Sequence, residues 1–191
     1  MTKPYEICYA DPPWRYDNKG GQGVAEKHYP TMSLSEICAL PVADITAKDS
    51  ALFLWATFPM LPEALRVIAA WGFTYKCVAF VWLKQNKKSP GWFYGLGFWT
   101  RGNAEVCLLA TRGHPQRQSR SVHQLIVSPI EAHSKKPDAA RDKIVALMGD
   151  LPRVELFARQ QAPGWDAWGN EVDSEFDFGT ICPEVGKEEN K

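Results

Sequence analysis

No apolar run in this 191-residue chain approaches the roughly 20 residues needed to cross a bilayer. The longest, residues 51–58, has the length of a buried strand. No two cysteines have the close spacing of a zinc knuckle or a redox pair. The five (Cys8, Cys38, Cys77, Cys107 and Cys182) are odd in number and mostly sit among apolar neighbours. That argues against a disulfide framework and for small, reduced core residues. No repeat or low-complexity tract is present. The opening MTKPYEICYADPPW reaches Asp11 before a signal-peptide apolar region develops, so a cytoplasmic, membrane-free protein is expected. What is there is 45% hydrophobic, with 14 Gly and 14 Pro, enough to build one sizeable core.

Net charge is also missing, since 22 basic side chains balance 22 acidic ones, but the balance is uneven along the chain. Residues 172–191 hold six acids and two lysines, a net of −4, which leaves +4 on the rest. Residues 84–143 hold eleven Lys/Arg against Glu105, Glu131, Asp138 and Asp142, a net of +7. Such a segment suits a polyanionic partner, or is an ordinary solvated surface. The expected organisation is one domain over residues 1–172 and a flexible acidic tail over 173–191.

Strand and helix patterns alternate. Strands are expected at 5–10, 51–57, 73–83, 105–111, 122–127 and 154–157. Ser33 and Glu36 have capping-box spacing and open a short helix that Pro41 closes. A second helix is expected over 62–71 with Gly72 just beyond it. A third has Ser134 near its cap, Pro137 at its first position and its end at Met148. Residues 84–103, rich in Gly, Lys and aromatics, follow neither period and read as a long loop of functional type. Residues 158–171 read as irregular. The alternation implies an α/β fold with a mostly parallel sheet and helices on both faces. Ligands then bind beyond the C-terminal strand ends, where Asp11–Trp14 and the segment from Arg159 to Glu171 lie.

Asp11-Pro12-Pro13-Trp14 is the sharpest local signal. The prolines lack N–H groups and fix their own φ, giving a stiff, acceptor-rich corner after an apolar strand. Asp11 adds a carboxylate, and Trp14 a flat face. An amino group on a planar base requires that set: acceptors for two N–H hydrogens and a ring against the base. Its nitrogen lone pair is delocalised, so acceptors that favour the developing positive charge assist reaction there. An ordinary Asp-Pro turn is the competing reading.

With that corner, the chain resembles the MT-A70 family of adenine N6-methyltransferases. Tyr29-Pro30-Thr31-Met32-Ser33 resembles the family's Y-x-T-M-S segment, and Phe53-Leu54-Trp55 its F-L-W strand. Ser134-Lys135-Lys136-Pro137-Asp138 is similar to its S-x-K-P helix start. Glu155-Leu156-Phe157-Ala158-Arg159, with Gly164-Trp165 and Gly169-Asn170-Glu171, is similar to its C-terminal cofactor segment. The resemblance implies a Rossmann-like methyltransferase sheet in permuted order, with the catalytic strand ahead of the cofactor-binding strand. It implies S-adenosyl-L-methionine as cofactor and no metal. Asp11, Pro12, Pro13 and Trp14 are then the catalytic candidates. Asp11, Lys136, Glu155, Arg159, Asn170 and Glu171 are the cofactor candidates, with Lys136 at a helix start facing the methionine carboxylate.

Two loops are expected to gate the base, one over residues 15–30 and the other 84–103. They supply Tyr16 and Trp99 for stacking and Lys84, Lys87, Lys88 and Arg101 for phosphate contacts. Relatives carry His-Asn where this chain has Gln160-Gln161, which removes a His-mediated cofactor contact. The implied partner is nucleic acid, DNA ahead of RNA, acted on by a monomer or homodimer. RNA adenine, cytosine N4 and a non-catalytic nucleic-acid-binding subunit remain the alternatives.

Overall fold

The computed structural model describes residues 4–15, 31–97, 99–132 and 134–178. Strand β1 (Tyr5–Ala10) is followed by helices α1 (Leu34–Ala39) and α2 (Val42–Ile45) and strand β2 (Thr46–Ala56). A 3₁₀ turn at Phe58–Met60 leads into α3 (Leu61–Ala70), and β3 (Thr74–Gln85) and β4 (Ala104–Arg112) come next. Strand β5 (Leu125–Pro129), helix α4 (Ala139–Met148), and strands β6 (Arg153–Leu156) and β7 (Asp166–Trp168) complete the order.

The seven strands form one sheet in the order β5-β3-β4-β2-β1-β6-β7. Strand β1 runs parallel to β2 and β6, β6 to β7, and β3 to β5, while β4 is antiparallel to both β2 and β3. The period-2 pattern of β1 explains the two faces. Cys8 and Ala10 join a cluster with Ile37 of α1 and Ala64, Val67 and Ile68 of α3. Ile7 and Tyr9 join the opposite cluster, with Ala140, Ile144 and Met148 of α4. The α/β sheet with helices on both faces is thus as expected, and β1, which ends at the Asp11–Trp14 corner, precedes its sheet neighbour β6 in the chain.

Successive elements leave β1 towards β2 on one side, and the chain returns through α4 to β6 on the other. The switch between helix layers opens a crevice at the C-terminal ends of β1 and β6, the place where open α/β sheets bind ligands.

Several boundaries differ from expectation. Strand β2 begins at Thr46, five residues early, because Ser50 is buried within a stretch that reads as polar. Helix α4 begins at Ala139 with Asp138 at its N-cap. Pro137 and Asp138 accept from the N–H groups of Ala140 and Arg141, an i→i+3 first turn that delays the α-helix. Ser134 is no cap; it sits at φ 62°. Helix α2 and strand β7 were not expected at all, being very short.

Cys8 and Cys107 are buried, Cys38 is half-buried, Cys77 is exposed, and Cys182 lies outside the described residues. Of the segment expected as a tail, residues 173–178 are described. Phe176 packs on Tyr5 at 6.1 Å between ring centroids, and buried Phe178 meets Trp168 edge-on at 4.8 Å. Residues 173–178 are therefore part of the domain surface, and 179–191 lie outside the described residues. No helix among the described residues is long and apolar enough to cross a membrane.

Candidate active site

The crevice is a cleft walled by Asp11–Trp14, Met32, Thr57, Glu105, Ser134, Lys136, Phe157–Arg159 and Trp168–Glu171. Asp11 follows the last residue of β1, and the prolines turn the chain across the sheet end. The Pro12 carbonyl accepts the Trp14 N–H at 2.9 Å, and the Pro13 carbonyl accepts the Met32 N–H at 2.9 Å. Each carbonyl keeps a second lone pair. The Trp14 indole is buried and donates from Nε1 to the Trp55 carbonyl at 3.3 Å, so its plane is fixed where it lines the cleft.

Four charges meet behind this corner. Lys136 Nζ donates to Asp11 Oδ2 at 2.8 Å and to the Ser134 carbonyl at 3.3 Å. It also pairs with Glu105 Oε2 at 3.2 Å. Lys84 Nζ takes the other Glu105 oxygen at 2.5 Å. The side chains of Lys136 and Glu105 are only 9% and 11% exposed, whereas Asp11 is 23% exposed, through the cleft.

Burial pushes the Asp11 carboxyl above its ordinary 3.8 while Lys136 pulls against it. Burial also opposes ionisation of Glu105, but Lys136 and Lys84 together hold its pKa below 4.5. Burial disfavours charge on Lys136, yet Asp11 and Glu105 outweigh that and raise its pKa. One lysine is shared between two carboxylates, and Glu105 has a second lysine of its own. Asp11 is the less satisfied partner.

Beside the cleft lies a recess lined by Arg141, Glu155, Lys135 and Gln160, sharing Asp11, Lys136, Phe157, Arg159 and Glu171 with it. Glu155 is gripped there by Arg141, Nε to Oε2 at 2.6 Å and NH2 to Oε1 at 2.9 Å. Arg159 Nε donates to Glu171 Oε1 at 2.8 Å at the cleft rim. Backbone crowding joins the two halves of this wall. Ala158 N–H donates to the Trp168 carbonyl, and a Cβ on Gly169 would lie 2.2 Å from the Ala158 carbonyl oxygen. Among the described residues, the only non-glycine positions in the left-handed region are Ser134 and Phe157, both at φ 62° and both lining the cleft. Strain of that kind concentrates at functional sites.

The structure thus brings Asp11, Pro12, Pro13, Trp14, Lys136, Arg159, Asn170 and Glu171 into one cleft, with Glu155 in the adjoining recess. Lys84 is a correction: its ammonium is half-buried on Glu105 and lies 4.9 Å from the Trp82 ring, so it is not presented for a phosphate. Lys87, Lys88, Trp99 and Arg101 are exposed on the loop between β3 and β4, and Tyr16 lies outside the described residues. Gln160 Nε2 donates to Asp138 Oδ1 at 3.3 Å and lines the recess. Sequence reading missed Glu105. Its signal was a single acid opening an otherwise apolar strand, directly after forty-one residues without one.

The MT-A70 family model matches residues 5–171. The Type II methyltransferase M.MunI of Mycoplasma sp is 36% identical over 89% of this chain and 78% of its own length. The N(6)-adenosine-methyltransferase subunit METTL3 of Danio rerio is 28% identical over 95% of this chain but 30% of its own length. The N(6)-adenosine-methyltransferase MT-A70-like protein of Drosophila melanogaster is 30% identical over 88% of this chain and 27% of its own length. The chain therefore spans most of the first relative and less than a third of the other two.

Proposed function

The chain belongs to the MT-A70 family, and from that premise we propose that it methylates the N6 amino group of adenine in DNA, using S-adenosylmethionine. One observation carries this reading. The Asp11-Pro12-Pro13-Trp14 corner stands at the C-terminal end of β1, its carboxylate held from behind by a buried lysine and open in front to the cleft.

Asp11 Oδ2 is committed to Lys136, which leaves Oδ1 to accept one N–H of the target amino group. The second lone pair of the Pro12 carbonyl accepts the other. Two acceptors so placed draw the nitrogen out of conjugation and favour the positive charge that forms on it. The proton that the nitrogen sheds as it gains its methyl is taken at Asp11 Oδ1, whose burial-raised pKa makes it a better base than a surface carboxylate. Trp14, fixed by Trp55, supplies the wall against which the base lies.

The donor set fits the cofactor. S-adenosylmethionine, when bound, supplies a methyl on a sulfonium cation, transferred by direct displacement. In the cleft Asp11 would offer its carboxylate to that cation, and Arg159, Asn170 and Glu171 would hold the ribose hydroxyls and an adenine edge. The apolar wall of Phe157 and Trp168 suits a purine face. Lys136 has all three ammonium protons placed, so to hold the methionine carboxylate it exchanges the Ser134 carbonyl, its weakest partner.

DNA is favoured by the Mycoplasma Type II methyltransferase, of which the chain covers 78%. Incubating the protein with cofactor and plasmid should yield N6-methyladenine by mass spectrometry. Asp11→Ala should lower the rate by about 10²–10⁴-fold with the circular dichroism spectrum unchanged. Equal or greater methylation of structured RNA would move the substrate, and N4-methylcytosine would move the base. Absence of all three products, with cofactor product unbound, would leave the non-catalytic subunit.

A further inference from the structure

Between Glu105 and Glu131 lie twenty-five residues without a single acid, in a chain whose acids and bases balance. Arg112, Arg117 and Arg120 fall in that stretch, with His114 and His123, on the segment that joins β4 to β5. Arg112 is turned inward: its guanidinium donates to the Ala43 carbonyl at 2.8 Å and to Thr46 Oγ1 at 3.4 Å. Arg117 and Arg120 are exposed, and neither side chain has a hydrogen bond or ion pair among the described residues.

The backbone that carries this pair is pinned. The N–H groups of Gln118 and Ser119 both donate to the Leu147 carbonyl at the end of α4, at 2.8 and 3.2 Å. His114 N–H donates to Asp49 Oδ1 at 2.7 Å, and Lys143 Nζ to the His123 carbonyl at 2.8 Å. Gln118 lies over Gly149, where a Cβ would stand 2.2 Å from its Nε2. Ser121 N–H closes a bend onto Ser119 Oγ at 3.2 Å. A fixed backbone under free guanidinium groups lowers the ordering cost of an ionic contact. Acids on the neighbouring elements do not answer the charge. Asp49 takes the His114 N–H, Asp150 takes Arg153 at 2.6 Å, and Asp142 of α4 is exposed without either arginine.

Chemistry selects the occupant. A guanidinium presents a planar fork of donors that matches phosphate oxygens. A two-fold contact with a second copy would set the same cations against themselves. Place then separates this pair from the cleft. The segment leaves the sheet at Arg112, which pairs with Ser50 near the start of β2, at the end opposite the cleft. Arg112 is seven residues along β4 from Glu105, about 24 Å. Leu147 is eight residues along α4 from Ala139, about 12 Å. The arginines therefore stand roughly 12–24 Å from the cleft, about four to seven base steps along a duplex. That is beyond the target base and within its flank.

Resting on the reading that the cleft takes an adenine of DNA, we propose that Arg117 and Arg120 form a second contact, separate from the cleft, with the phosphate backbone that flanks the target several base pairs away. Backbone contacts position a protein on DNA and carry no sequence information. The pair contributes affinity and leaves the choice of base to the cleft.

The test is fluorescence anisotropy of a labelled DNA duplex with S-adenosylhomocysteine present, titrated with salt. Arg117→Gln combined with Arg120→Gln should weaken binding about tenfold at about 50 mM salt and lower the slope of log K against log salt by about 1.8, two contacts at about 0.9 each. Arg66→Glu, on exposed α3 across the sheet, changes net charge by the same amount and should bind as wild type does. Binding of S-adenosylhomocysteine itself should be unchanged in every variant. In methylation assays the arginine pair variant should show a higher KM for plasmid at the wild-type kcat. No loss of binding in that variant, or an equal loss in Arg66→Glu, would overturn the contact. So would a lower melting temperature with unchanged DNA binding, which would give both arginines to the negative end of α4. Weaker anisotropy with an unchanged KM would put a separate DNA on the patch and overturn the flank assignment. If binding depends on the arginines while nothing is methylated, the contact stands and the enzymatic reading fails.

Discussion

Lys136 has three ammonium protons and three acceptors for them, two of which are carboxylates with different degrees of satisfaction. That difference has a measurable sign. A carboxylate whose pKa rises on folding binds more protons folded than unfolded, so its contribution to stability falls as pH climbs from 3.8 through the folded value. Asp11 is that case. Glu105 is the reverse: its contribution is fully present above 4.5 and lost as pH falls through its lowered folded value. Glu105→Gln should therefore destabilise at neutral pH, on the order of 3 kcal/mol for breaking a buried pair, while Asp11→Asn should leave the melting temperature equal or higher. Calorimetry of both variants at pH 7 decides it, and equal losses would contradict the sharing described here. Activity gives an independent readout. Without the Glu105 charge, Lys136 belongs to Asp11 alone, and the acid limb of the pH–rate profile should move to lower pH.

At the scale of elements, the wall of the cleft depends on a backbone crossing rather than on any one side chain. Gly169 passes so close to Ala158 that an added Cβ meets its nitrogen at 2.7 Å as well as its carbonyl oxygen. Gly169→Ala must push apart the segments carrying Arg159 and Asn170–Glu171. Binding of S-adenosylhomocysteine should weaken by about tenfold or more, as expected for misplacing groups by about 1 Å, and thermal stability should fall with it because the clash is with the backbone of buried Ala158. Unchanged binding in calorimetric titration would remove this segment from the cofactor site.

The same scale shows what was legible in the sequence. The Asp-Pro-Pro-Trp corner and the capping box were readable because their chemistry is local: Ser33 Oγ accepts from the Glu36 N–H at 3.2 Å, and Glu36 Oε2 accepts from the Ser33 N–H at 2.6 Å. Glu105 was not readable, because its meaning lies in Lys84 and Lys136, twenty-one and thirty-one residues away. Lys84 was misjudged for the same reason, as a solvated cation when its partner was out of local view. Helix α2 and strand β7, at four and three residues, are too short to carry a period.

For the whole molecule, the helix layer of α1 and α3 and the docked end segment share one core cluster, while α4 packs on the other face of the sheet. Phe178 closes an aromatic series with Trp168, and Trp168 meets Phe157 at 5.3 Å inside the cleft wall. Phe178→Ala should cost about 3 kcal/mol as a buried aromatic truncation, and it should also weaken cofactor-product binding by loosening Trp168. Stability loss with unchanged binding would confine Phe178 to packing. Net charge adds a condition of use. On the proposed function, Lys87, Lys88 and Arg101, exposed on the β3–β4 loop, should make nucleic-acid affinity fall steeply with salt, so comparisons between variants belong at one ionic strength.

The pairing of β1 carries a consequence for synthesis. Tyr9 stands opposite Phe53 on one side and Glu155 on the other. Its first neighbour leaves the ribosome 44 residues later and its second 146 residues later. At about 5–20 residues per second, β1 waits roughly 5–20 s between the two with one apolar edge open. A chain stalled before β6 offers that edge to any other strand nearby. Protection of the nascent chain, rather than stability of the finished fold, then governs how much active protein a cell obtains.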